Sequence, residues 1–163
     1  MKHLILTAIF LASSATASPR ARDLGVPFDG TPGPLNAITD VAGVEVGFKT
    51  LISGEGARVR GKGPVRTGVT AIFPRGKTDQ RGVFAGFFAG NGNGDMTGTH
   101  WVEEGGVLET PILITGTGSV GVVRDAAFKW LADHRKGAFW YPLVAETADA
   151  TLHDMAGQHV TVQ

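Results

Sequence analysis

Glu146 is the first residue whose type and position suggest chemistry. It ends an apolar run, Leu143-Val144-Ala145, downstream of a glycine turn, Gly116-Thr117-Gly118-Ser119-Val120-Gly121. Glycines in a G-x-G-x-x-G pattern between a strand and a helix, with an acid ending the next strand, make up a dinucleotide fingerprint. The tight turn exposes amides for a pyrophosphate, and the carboxylate takes the ribose hydroxyls. On this alternative the chain is a dinucleotide-binding oxidoreductase domain. Glu146 lies 25 residues past Gly121, somewhat far for that role. The plainer reading is that the glycines let a helix pack close to a sheet.

Other reactive side chains are sparse. Ser119 would need glycine two positions before it to sit on a nucleophile elbow, and Thr117 stands there. Ser53 and Ser119 are the only serines after Ser18, so neither has an evident histidine and acid to activate it. Ser119 reads as a helix cap. His100 and Glu104, one helical turn apart, could put two metal ligands on one face, but an ion pair is the better reading of an isolated pair. Arg58, Arg60, Lys62 and Arg66 form a basic, glycine-rich stretch without interleaved aromatics, which suits a solvated loop or a subunit surface better than a nucleic-acid groove.

The elements that must position Glu146 are the clearest in the chain. Ile112-Leu113-Ile114, bounded by Pro111 and the glycine turn, reads as a buried strand. Val120, Val123, Ala127, Trp130, Leu131 and His134 share one side of a helix reaching about Arg135. Ser119 or Thr117 can cap its start, Lys129, Arg135 and Lys136 complement its end, and Gly137 stops it. The unit is strand, turn, helix, strand, carboxylate.

Upstream, Ser18–Pro34 reads as an irregular lead-in, and Ile38–Phe48 as two short strands about an Ala42-Gly43 turn. Further strands are expected at Gly68–Phe73 and Val83–Phe88. The second runs into Ala89–Asp95, whose glycines and asparagines permit positive φ. A short helix over Thr97–Glu104, with Trp101 and Val102 inward, stops at Gly105-Gly106, and another begins at Ala148–Ala156. The order, mostly β first and then β, helix, β, helix, supports a mixed α/β layered domain.

Residues 1–17 carry the pattern of a secretory signal: Lys2 and His3, an apolar run from Leu4 to Ala12, and Ala15-Thr16-Ala17 as a cleavage site. That run is too short to span a bilayer. The expected product is exported and periplasmic, with residues 18–163 the N-terminal part of one domain. The absence of cysteine excludes disulfides, thiolate metal sites and a cysteine nucleophile. A formal charge of zero gives no bias toward nucleic acid or anionic membrane. The 24 glycines, about twice the usual share, imply many tight turns and close backbone contacts. The final His159–Gln163 reads as the start of an element cut short, which suggests a fragment.

Five stretches in order, NAITDVAGVEVGF (36–48), RTGVTAIFPRG (66–76), GNGNGDMTGTHWVEEGG (90–106), PILITGTGSVGVVRDA (111–126) and PLVAETADATLHDM (142–155), resemble the L-aminopeptidase/D-esterase family that includes the β-peptidyl aminopeptidases. The resemblance implies an αββα sandwich like that of N-terminal nucleophile hydrolases, incomplete in this chain. It also implies a precursor that cuts itself, a downstream N-terminal serine as nucleophile, and no cofactor or metal. No catalytic residue then falls within this chain. Its partners would be a short peptide or amino-acid amide substrate, the β chain of the same precursor, and further copies of the full-length enzyme in a homo-oligomer. Glu146 matches the family carboxylate that receives the substrate's free amine. Ala148 stands where relatives carry tyrosine, which would widen the pocket and puts in doubt any role of that tyrosine in holding the oxyanion.

Overall fold

A computed structural model describes residues 19–137 and 139–162, so the expected signal segment lies outside the described residues. The described residues divide into two compact units, with the boundary between Pro32 and Gly33. In the first, the described residues are irregular, as expected. A turn over residues 21–25 is closed by Val26 N–H to Ala21 O, and the Arg22 guanidinium lies over the Phe28 ring at 5.2 Å.

The second unit is built on a four-stranded mixed sheet. Its strands are β1 (Glu45–Ser53), β2 (Val65–Phe73), β5 (Ile112–Gly116) and β6 (Leu143–Thr147), in the order β1-β2-β5-β6. β1 and β2 form an antiparallel pair with Lys49 opposite Val69. β2 and β5 are antiparallel with Val69 opposite Thr115. β5 and β6 are parallel, with Thr115 beside Glu146. This last pair is the expected strand–helix–strand unit, and its crossover carries α2 (Val120–His134). A small ribbon of β3 (Val83–Phe84) and β4 (Val107–Leu108), with α1 (Thr99–Gly105) between them in sequence, completes the unit.

Alternation along the strands divides the core in two. Leu51, Val69, Leu113 and Val144 face α2, where they pack with Val120, Val123 and Val160. Ile112 and Leu143 point the other way and pack against Val102 of α1 and Leu108 of β4. β5 and β6 are therefore buried on both faces at this end, which explains their continuous apolar runs. Leu131 and Val144 are fully buried. Each such side chain contributes about 1.5–3 kcal/mol by leaving water. The rest of the sheet face turned from α2 is open: Phe48 is 77% and Ile52 70% exposed.

Several expectations need correction. Ile38–Asp40 is a 3-10 turn rather than a strand, because Asp40 accepts the Leu35 and Ala37 amides. Gly43, at φ 87°, then turns the chain into a single long β1. β2 begins three residues earlier than expected, and the second upstream strand shrinks to Val83–Phe84. The glycines at 90, 92 and 94 do not use positive φ. α2 ends at His134, where Arg135 is already extended, so Gly137 does not stop it. No side chain caps α2, and Ser119 is buried instead. In α1, Val102 faces inward but Trp101 is 43% exposed and stacks on Tyr141. The expected helix at Ala148–Ala156 is absent. That segment forms turns and a 3-10 helix at Met155–Gly157, because its polar groups are drawn to the β1–β2 loop.

Candidate active site

The carboxyl ends of the parallel strands β5 and β6 bring the sequence-selected residues together. In open α/β sheets this is the end that receives ligands. Glu146 is half-buried near the end of β6, with Thr147 and Ala148 exposed after it. One side of its backbone is fixed by β5. On the other, the loop running out of the glycine–asparagine stretch acts as a short extra strand. Glu146 N–H donates to Asp95 O at 3.0 Å, and Thr97 N–H donates to Val144 O at 3.0 Å. The Thr97 hydroxyl donates to Pro142 O at 2.6 Å and accepts the Val144 amide at 3.1 Å. Gly98 makes the tight departure from this strand into α1: at φ 78° its missing Cβ would stand 2.8 Å from Tyr141 O. The Glu146 backbone is thus held on both sides, while its carboxylate has no hydrogen-bond or ion-pair partner among the described residues.

A ladder of threonines runs beneath this end. Thr147 donates to Thr115 O at 3.2 Å, and Thr115 donates to Gly68 O at 2.8 Å. Thr67 on β2 donates to Asp149 Oδ2 at 2.6 Å. Asp149 lies three residues past Glu146, and its Oδ1 is buried without a partner among the described residues. Thr67, Gly68, Thr115, Thr147 and Asp149 line one side of an open cavity of about 380 Å³ on the uncovered sheet face. The Thr67–Asp149 contact had no signature in the sequence, since the two residues are 82 apart. In the sequence, Asp149 stands out only as an acid near the start of the helix expected over Ala148–Ala156.

The glycine turn does not have the shape of a phosphate cradle. An ideal Cβ on Gly116 would stand 2.2 Å from Asp149 Oδ2, and one on Gly118 would stand 3.0 Å from Met155 Cγ. The space those glycines open is filled by the protein's own carboxylate and thioether, which leaves no room for a pyrophosphate and repels its charge. The glycines serve close packing, the plainer of the two readings.

Other candidates lie apart. His100 and Glu104 sit on α1 without an ion pair, and no cluster of metal-ligating residues occurs among the described residues. Within the basic stretch, the Arg58 guanidinium donates to Ala150 O, and Arg66 donates to Ser53 O and Gly54 O at 2.8 Å each. These cations brace the loop after β1 and the turn after β6.

A second polar cluster joins the chain beyond Glu146 to the β1–β2 loop. Asp154 Oδ2 accepts His159 Nε2–H at 2.9 Å and the Gly61 amide at 2.7 Å, and Asp154 N–H donates to Pro64 O. His153, buried beside it, accepts the Arg66 amide at Nδ1. The hydrogen bond from His159 holds the Asp154 carboxyl below the usual carboxylate range.

Comparison with known proteins places this architecture. The profile of peptidase family S58 matches residues 36–163. The beta-peptidyl aminopeptidase BapA of Sphingosinicella microcystinivorans is 60% identical over 158 residues, covering 96% of this chain and 40% of that protein. The BapA of Sphingosinicella xenopeptidilytica is 54% identical over 164 residues, covering 96% and 41%. Among solved structures, the L-aminopeptidase D-Ala-esterase/amidase of Ochrobactrum anthropi, described as a prototype for the serine aminopeptidases and a variant of the Ntn hydrolase fold, superposes with a TM-score of 0.77. It is 46% identical, over 88% of this chain and 42% of that one. A Burkholderia sp. beta-aminopeptidase gives 0.78 at 46% identity, over 88% and 40%. The PH0078 protein of Pyrococcus horikoshii OT3 gives 0.80 at 40% identity, over 88% and 42%.

The mixed sheet with α2 on one face is therefore an incomplete α/β sandwich of the N-terminal nucleophile hydrolase kind. The chain belongs to peptidase family S58. It spans about two fifths of the length of the curated relatives it matches.

Proposed function

We propose that the full-length protein carrying this chain is an exported serine aminopeptidase. It removes N-terminal residues, β-amino acids among them, from short peptides, amides or esters. This chain supplies the front, α-chain part of a precursor that cuts itself. The nucleophile is the new N-terminal serine of the downstream β chain, whose own amine can serve as base. The similarity to beta-peptidyl aminopeptidases supports the reading.

The observation that carries it is the Glu146 carboxylate, set on a strand end hydrogen-bonded on both sides and left without a partner among the described residues. A carboxylate so placed selects an ammonium by a charge-assisted hydrogen bond and disfavours a neutral or acylated N-terminus. The exposed Ala148, two residues on, leaves room that a tyrosine would fill, and the extra methylene of a β-residue can use that room.

The test uses the mature full-length enzyme with a β-alanyl amide and its N-acetylated counterpart. The free amine should be turned over and the acetylated one should not. Glu146→Gln should raise KM for the free amine by about tenfold or more, as expected for loss of a charged partner. Equal turnover of the acetylated substrate would remove Glu146 from the role of amine receptor.

A further inference from the structure

We propose that Asp149 is a positioning residue of this site: its carboxylate, bound by Thr67 across the sheet, holds the turn after β6 so that Glu146 faces the incoming amine. The proposal rests on the reading of Glu146 given above.

Three features place Asp149 in that role. The Thr67 hydroxyl is 2.6 Å from Oδ2, short for an O–H···O bond and typical of one made to a charged acceptor. It reaches from β2 over β5 to the end of β6, tying together the three strands that end at the site. The carboxylate also rests on the backbone of Gly116, the last residue of β5, in space that only a glycine leaves open. Beyond Asp149, the Arg58 guanidinium holds the carbonyl of Ala150, and Leu152 N–H closes a turn onto Asp149 O at 3.3 Å. Glu146 is thus the penultimate residue of β6, just ahead of a turn anchored by Thr67 of β2 and by Arg58 of the β1–β2 loop.

The remaining observation separates this from ordinary packing. Asp149 Oδ1 is buried and unpartnered among the described residues. Leaving a buried acceptor unsatisfied is unfavourable, and such groups in a native structure call for a specific explanation. An apolar side chain of similar size would avoid the penalty but would give up the short bond to Thr67. The position is set for geometry at the expense of stability.

The experiment uses the mature full-length enzyme, with Thr67→Val, Thr67→Ser and Asp149→Asn each made in the native and in the Glu146→Gln background. Thermal melting confirms that each variant is folded. Thr67→Val should raise KM for a free-amine substrate about tenfold, the size expected for a bond to a charged group, while kcat stays within about twofold. Thr67→Ser, which keeps the hydroxyl, should restore KM. Asp149→Asn should behave as a milder Thr67→Val and serves if the latter fails to fold. In the Glu146→Gln background the same substitutions should change KM by less than about twofold, because the group they position is gone. Equal KM effects in both backgrounds, or none in the native one, would overturn the role of Asp149 while leaving Glu146 as the amine receptor. A Glu146→Gln variant with unchanged KM would instead bring down both readings.

Discussion

The carboxylate of Asp149 stands where a side chain on Gly116 would begin, with Oδ2 2.2 Å from an ideal Cβ. One residue lacks a side chain so that another can bind Thr67. The backbone of Gly116 is ordinary, at φ −65° and ψ 148°, so only space requires glycine here.

Gly116→Ala should therefore destabilise the full-length protein by overpacking, about 1–3 kcal/mol, without backbone strain. The effect should shrink in an Asp149→Ala background, where the carboxylate is gone. Chemical denaturation of the two single variants and the double variant measures the coupling. Additive effects would show that the two residues do not compete for space.

Leu131 is fully buried on the face of α2 that meets the sheet. Leu131→Ala leaves a cavity there and should cost about 2–5 kcal/mol, whereas Phe128→Ala, at a half-exposed position of the same helix, should cost less. A comparison of denaturation midpoints checks the order. A larger loss at Phe128 would mean that the outer face of α2 is covered in the full-length protein.

The His159–Asp154 contact predicts a pH dependence of stability. Asp154 has its carboxyl lowered in the fold, first by the hydrogen bond from His159. Its contribution is thus complete above the unfolded carboxylate value of about 3.9 and is lost as pH falls through the lower folded value. Asp154→Asn should lower Tm at neutral pH, and the difference from the native protein should close on acidification below about pH 4. Gly157→Ala, whose Cβ would collide with both Asp154 Oδ2 and His159 Nε2, should mimic it. A difference in Tm that stays constant down to pH 2 would rule out Asp154 as the titrating group.

The open sheet face gives opposite expectations for the part and the whole. Phe48 and Ile52 are exposed on β1, and in a sandwich such a face packs against a second sheet. Phe48→Lys should raise the soluble, monomeric fraction of an isolated 33–163 segment, read by sedimentation. In the full-length protein it should lower Tm instead. An unchanged Tm there would mean that the face stays wet.

The sequence made the β5–α2–β6 unit legible because its periodicities are strong: Ile112–Ile114 is apolar on both faces, and Val120, Val123, Ala127 and Leu131 repeat on one side of a helix. Glu146 was legible for the same reason, as the acid that closes a clean strand. Signals dependent on polar partners misled. Ser119 looked like a cap and is buried with no capping bond. The segment after Ala148 has helical propensity, but Asp149 and Asp154 bond to Thr67 and Gly61 instead, 82 and 93 residues away. Local propensity of a few tenths of a kcal/mol per residue is overridden by such tertiary bonds. The pairing of Asp149 with Thr67 carries no local pattern and emerged only in three dimensions.

That separation of 82 residues also has a temporal side. The hydrogen bond needs β2, β5 and β6 side by side, with the chain through α2 returned to the sheet. Loop-closure entropy makes such distant pairings late events in folding. The geometry around Glu146 is therefore completed among the last steps of this chain's assembly, and a molecule misregistered anywhere between β2 and β6 would not acquire it.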